Sequence, residues 1–335
     1  MEQSKRKYLS EFAVNLFSAR WLMTSASQLM SGGKMDEEQQ DVVNNSHIYV
    51  ICHRPMISFS KNSFKYENGK IIGHVNYKIN GELRERPFSQ EFHLPDGAIE
   101  VKLSNYPHRE LSVYDSEGKE LRYLPATALS FGLGMHISNS ELSNLEVLYI
   151  GQAFGDGSRN AFDRLKSHST LQRILAHTQY NLPDSEVFVL VFEYVPYRVL
   201  SQFDGRAKNV INDYRDLTRF RSILENPLTE HQQICLIEAG LIRYFQPYYN
   251  EIYKDNFPQQ NYKILKSCYD LDFSGLVVEI DTEELRFLLY SKTVSPQDHH
   301  ICQIDLLDPN ERWGFFNFST VDGGTLKMPN VIERK

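Results

Sequence analysis

The spacing of apolar and polar positions changes period several times along the chain, and each change predicts a different element. Over residues 10–30, Phe12, Leu16, Trp21 and Leu22 fall at loosely helical spacing behind Ser10 as N-cap. Ser31-Gly32-Gly33 stops the run, so the spacing predicts one helix. The acidic, glutamine-rich residues 34–46 carry no such period and read as a linker or exposed loop. From His47 to about Pro125 the period becomes that of strands. Residues 47–54 are apolar and β-branched, and Asn68-Gly69 and Asn80-Gly81 each sit between strand-like residues, the strongest short-range signal for a tight hairpin. Glu117-Gly118 repeats the logic. Next comes a mixed region: a strand ending at Tyr149-Ile150-Gly151, a helix at about 160–178, a strand at 186–194, a polar stretch with another helix, and a helix at about 230–246. After Pro258 short strand-like runs return. The chain therefore divides into residues 1–45 (helix and linker), 46–128 (an antiparallel β domain, sandwich or barrel), 129–257 (an α+β core) and 258–335 (β-rich).

The helix over 230–246 has a clear start, with Thr229 placed to cap it and Gln232 to reach back in a capping box. Its apolar stripe runs through Ile234, Ile237, Leu241, Ile242 and Phe245, and Glu238 falls inside it, four after Ile234 and three before Leu241. An unpaired carboxylate on an inward face is costly. Something must meet it: an arginine, hydrogen bonds or a metal ion.

At 335 residues and 41% apolar content the chain fills real cores. No run approaches the roughly 18 apolar residues of a membrane span, and the opening residues lack the apolar block of a secretion signal. A cytoplasmic protein with no membrane association is expected. The four cysteines are scattered without a C-x-x-C pair, which predicts reduced thiols. A net charge of −7 argues against coating nucleic acid through bulk positive charge but leaves room for a local basic cleft. Residues 198–221, with six Arg and Lys, read as a solvated helical face or a phosphate track. Adjacent His299 and His300 on a strand point to opposite faces and do not form a metal pair.

In "LYIGQAFGDGSRNAFDRLKSHSTLQRIL" a strand ends at Tyr149 to Gly151 and a Gly-rich loop leads to a helix carrying Arg164 and His168 four apart. A fixed cation, a phenol or imidazole and a nearby carboxylate together suit phosphodiester cleavage. Taken in order, "VLYIGQA", "RLKSH" and "IEAGLIRYFQPYYNEIYKD" resemble the GIY-YIG nuclease family, in the form seen in the incision subunit of bacterial excision repair. The matching positions are Tyr149, Gly151, Arg164, His168, Glu238, Ala239, Leu241, Ile242, Pro247, Tyr249 and Asn250. They span about residues 130–257.

The resemblance implies a small three-stranded antiparallel sheet with flanking helices, set here between β-rich N- and C-terminal regions. It implies that Glu238 holds one Mg²⁺ or Mn²⁺ and that Arg164 grips the scissile phosphate. Tyr149 then helps to deprotonate water, His168 orients or exchanges protons, and Asn250 supports the site. Arg159, Lys166 and Arg243 are the expected nucleic-acid contacts, with Arg159 a competitor for the role of Arg164. The sequence departs from the family at its first signature: no Gly-Ile-Tyr stands about ten residues before Tyr149. Gly134-Met135-His136 is the nearest candidate, with His136 in place of the tyrosine. Residues 195–228 read as an insertion. The implied function is a metal-dependent endonuclease acting on DNA, RNA not excluded, in host defence or restriction. A protein partner or homo-oligomer would form through the β-rich flanks. The rival is a catalytically inactive module of the same fold that binds nucleic acid or assembles with protein.

Overall fold

The structure, a computed structural model, describes residues 5–32, 35–130, 140–153, 161–166, 169–259 and 261–334. Three sequence-predicted site residues, His136, Arg159 and His168, lie outside the described residues.

Residues 10–25 are not the expected helix. They form one long strand, β1 (Ser10–Ser25), followed by a short helix α1 (Ala26–Ser31). The four-residue step from Phe12 to Leu16 satisfies a period of two as well as one of 3.6. Val14 fills the same face between them, and Ala13 is buried on the other, so the run suits a strand covered on both sides. The expected linker contains a helix, α2 (Glu37–Asn45), started by a capping box between Asp36 and Gln39. Then comes β2 (Ile48–Pro55).

Two small antiparallel sheets follow. One holds β3 (Ser58–Phe59), β4 (Lys65–Glu67), β5 (Lys70–Ile79) and β6 (Glu82–Glu91); the other holds β7 (Glu100–Leu103), β8 (Glu110–Tyr114) and β9 (Glu120–Pro125). Both predicted Asn-Gly hairpins are present, with positive φ at Asn68 and Gly69 (54° and 73°) and at Asn80 and Gly81 (52° and 82°), as a primed turn requires. The two sheets share one core, including Phe59, Val75, Tyr77, Leu111 and Val113.

The chain continues through α3 (Ser140–Ser143), β10 (Asn144–Gln152), α4 (Ala161–Lys166), α5 (Ser169–Asn181), β11 (Ser185–Tyr194) and β12 (Arg198–Phe203). Then come α6 (Tyr214–Glu225), α7 (Glu230–Phe245) and α8 (Lys266–Asp270). The last strands are β13 (Gly275–Asp281), β14 (Leu288–Tyr290), β15 (His299–Asp305), β16 (Asn317–Ser319), β17 (Thr325–Lys327) and β18 (Val331–Ile332). This is an α+β chain. Its main sheet has nine strands in the order β14-β10-β2-β11-β1-β13-β15-β18, with β12 also paired to β1. The sheet thus draws strands from both sides of the expected boundaries at 45/46 and 257/258. Within it, β10 and β11 flank β2 and both run antiparallel to it.

One face of the sheet packs on α7 through Ile234, Ile237, Leu241 and Phe245; the other packs on α1, α2, α4 and α5. Gly240 lets α7 approach β13, since a Cβ there would stand 2.9 Å from Val278. Residues 195–228, expected as an insertion, supply β12 and α6. Arg219 on α6 is buried rather than solvated: it donates to Asp216 at 3.0 Å and Glu11 at 3.4 Å, and Arg312 reaches the same Glu11 at 2.9 Å. Paired charges of this kind tie α6 to β1 and to the C-terminal region. All four cysteines are free and buried. Among the described residues no helix is long and apolar enough to cross a membrane.

Candidate active site

The site forms where β10 loses its neighbour. β14 pairs only with Asn144 to Glu146, which leaves the far half of β10, Tyr149 to Gln152, with an open edge. Asn250 closes it. Its Oδ1 accepts from the Ile150 N–H at 2.9 Å and its Nδ2 donates to the Ile150 carbonyl at 2.8 Å, so one side chain stands in for a missing strand. The Tyr249 N–H adds a bond to the Leu148 carbonyl at 3.1 Å. These bonds fix the chain leaving α7 against the strand that carries Tyr149.

On the other side of β10 lies β2, in a register that sets Gly151 opposite Tyr49. The Tyr49 and Tyr149 rings lie 6.1 Å apart, tilted by 32°. Gly151 makes room for them: a Cβ there would stand 2.5 Å from the Tyr49 hydroxyl and 2.9 Å from the Tyr149 ring. Burial is the largest influence on both phenols and raises their pKa values, with the charge of Glu238 adding to the rise. The two hydroxyls are therefore protonated donors at neutral pH.

Glu238 comes from α7, which starts at the predicted capping box of Thr229 and Gln232. Gln152 Nε2 donates to its Oε2 at 2.8 Å, and the Gln152 Oε1 faces the Cys235 thiol at 3.8 Å. Burial pushes the Glu238 carboxyl up to about 7, outweighing the Gln152 hydrogen bonds and the attraction of Arg164. The positive charge of Arg164, on half-buried α4, acts on Glu238, Tyr49 and Tyr149 alike. Arg173 on α5 adds a second cation, bearing on Tyr149 and stacking over the Tyr249 ring at 5.6 Å.

The structure thus brings together Tyr149, Arg164, Glu238 and Asn250. Lys166 is exposed on the opposite side of α4. Arg243 is turned elsewhere: it donates to the Lys254 carbonyl at 3.0 Å, and its charge bears on the buried Cys302. Sequence reasoning missed Tyr49, Gln152 and Arg173. Ile48-Tyr49 was visible only as part of a strand, because residues 56–143 separate it from the strand it lies beside.

Among the described residues no three His, Cys, Asp or Glu side chains converge. A cation at Glu238 would take one protein carboxylate and complete its shell with water and phosphate oxygens, which suits Mg²⁺ or Mn²⁺ and not a caged zinc. The carboxylate itself fits: it is drawn out of water and lacks a charge partner strong enough to offset burial. Comparison with protein-family models, with curated proteins and with solved structures finds no match.

Proposed function

We propose that the chain is a metal-dependent endonuclease of the GIY-YIG kind that hydrolyses DNA phosphodiester bonds. One observation carries the reading: the partly buried carboxylate of Glu238 stands where its charge raises the pKa of both Tyr49 and Tyr149 and where the charge of Arg164 bears on it in turn. The antiparallel unit β10-β2-β11, with α7 on one face and α4 and α5 on the other, supports it. Tyr49, preceded by Ile48, takes the place of the first-signature tyrosine, with His47 where the family has glycine. The small sheets between β2 and β10 then account for the missing spacing, and His136 is not needed for that role.

In this reading Arg164 grips the two non-bridging oxygens of the scissile phosphate through parallel N–H bonds, holding the phosphate beside the cation that Glu238 would bind. The Tyr49 and Tyr149 hydroxyls orient the attacking water, whose oxygen bonds to phosphorus as the bond to one bridging ester oxygen breaks; the water gives up a proton to solvent and the leaving oxygen takes one from it. Glu238 would hold Mg²⁺ or Mn²⁺, which supplies Lewis-acid polarisation of the phosphate and makes the nearby water and phenols easier to deprotonate. Asn250 and Gly151 act as positioning residues. The inactive-module alternative drew on an absent first tyrosine and on the acidic net charge; Tyr49 beside Tyr149 speaks against the first of these.

The test is plasmid incubated with purified protein and Mg²⁺ or Mn²⁺, beside Glu238→Ala. The proposal expects nicking or linearisation by the wild type only. Cleavage by both proteins contradicts the assignment of Glu238, and cleavage by neither favours the non-catalytic module.

A further inference from the structure

α4 presents two different faces. Arg164 acts on Glu238, whereas Phe162 and Lys166, four apart, share the opposite face, because two residues along a helix turn it by about 200°. That opposite face lines a cavity of about 280 Å³ closed by α1, α2, the end of β1 and Tyr123 of β9.

We propose that this cavity receives one unstacked nucleobase of the strand being cut, beside the scissile phosphate, and so sets a base preference at the cleavage position. The inference rests on the endonuclease reading above. The walls have the chemistry of a base site. Met23, Met35 and Phe162 give apolar surface, and the Tyr123 ring, 52% exposed, offers a face for stacking. The Gln28 side-chain amide makes no hydrogen bond among the described residues, and the Gln39 amide spends only its oxygen on the Asp36 N–H. These amides present donors and an acceptor to a base edge. Lys166, exposed at the mouth, matches a backbone phosphate. A helix with its side chains is roughly 10–12 Å across, which sets the cavity a nucleotide or two from the phosphate at Arg164. A cavity of about 280 Å³ has room for a single base, which reaches it once extruded from a duplex or from a strand that is already single. The arrangement also gives the small sheets between β2 and β10 a function, since they deliver Tyr123.

The test compares wild type with Gln28→Leu and Tyr123→Ala, which lie on separate elements at exposed positions. Oligonucleotides vary the base at each position within two nucleotides of the cut, and kcat/KM is read for each. The wild type is expected to favour one base at one position by about tenfold or more, and each variant to shrink that ratio toward unity. No preference in the wild type, or an unchanged ratio in both variants, overturns the proposal. A second readout uses Glu238→Ala protein and oligonucleotides carrying 2-aminopurine at each position in turn. Quenching at one position, relieved by adding Tyr123→Ala, is expected. If the wild type cuts nothing but this signal appears, the base site stands and the endonuclease reading falls. If the wild type cuts and the signal appears nowhere, the base site alone falls.

Discussion

Gly151 lies opposite Tyr49 across the β2–β10 pair, so close that a Cβ at 151 would stand 2.5 Å from the Tyr49 hydroxyl. The glycine is therefore a statement about the tyrosine. Gly151→Ala is expected to push Tyr49 aside, costing about 1–3 kcal/mol of stability through overpacking. Cleavage should fall by about a hundredfold through misplacement at the site. Urea unfolding and plasmid kinetics on the same preparation separate the two effects. Activity within a few-fold of wild type would show that Tyr49 does not need this position.

Glu238 ties stability to pH with a defined sign. Its folded pKa, about 7, lies above the ordinary carboxyl value of 4.5. Between these values the unfolded chain ionises while the folded one keeps its proton, so the group lowers stability as pH rises through that window. The loss levels off above about 7. The shift corresponds to at most roughly 3 kcal/mol, and partial solvent access reduces it to about 1–2 kcal/mol. In chelator, Glu238→Gln should therefore be the more stable protein at pH 8 and lose that advantage near pH 4.5. Added Mn²⁺ should stabilise the wild type at pH 8 and leave the variant unchanged. Unfolding curves at the two pH values check both statements.

The same competition between proton and cation predicts the pH dependence of activity. At sub-saturating Mg²⁺, cleavage should climb with pH up to about 7 and then flatten, because binding needs the ionised carboxylate. Saturating metal should move the climb to lower pH. A profile that does not respond to metal concentration would separate the Glu238 ionisation from cation binding.

Much of this site was legible in the sequence, for physical reasons that differ by residue. Glu238 announced itself because an inward carboxylate breaks a helical stripe, and Thr229 and Gln232 fixed where that helix begins. Asn250 and Gly151 were legible only through the family pattern, although their bonds and clearances now give each a direct cause. Tyr49 was not legible: strand pairing is non-local, and no period in residues 47–54 says which distant strand will lie beside them. The N-terminal strand was misread for a different reason. Phe12 and Leu16 fit two periods at once, and burial on both faces of a strand paired along both edges, by β12 and β13, removed the alternation that marks a surface strand.

Asn250 predicts a structural effect that propagates to chemistry. Asn250→Ala removes both bonds to Ile150 and leaves a buried N–H and carbonyl without their partner, at a cost of about 2–4 kcal/mol. Hydrogen exchange at the Ile150 amide should accelerate before global unfolding does. Unchanged protection there would show that the strand edge holds without Asn250.

Arg164 and Glu238 should differ in what a conservative change preserves. Arg164→Lys keeps the charge but loses the planar pair of donors, so kcat should fall by roughly a hundredfold or more while Mn²⁺ affinity stays within a few-fold. Glu238→Gln should abolish Mn²⁺ affinity itself. Isothermal titration of both variants distinguishes a phosphate grip from a metal ligand.

The central claim is that a divalent cation meets the inward carboxylate of Glu238 beside Tyr49, Tyr149 and Arg164. Its most direct measurement is an anomalous difference map from crystals soaked in Mn²⁺. The account predicts a peak within about 2.1 Å of a Glu238 oxygen, on the side facing the two phenols, and no such peak in Glu238→Gln crystals. Manganese bound elsewhere, or an empty Glu238 in crystals of protein that cuts plasmid, would contradict it.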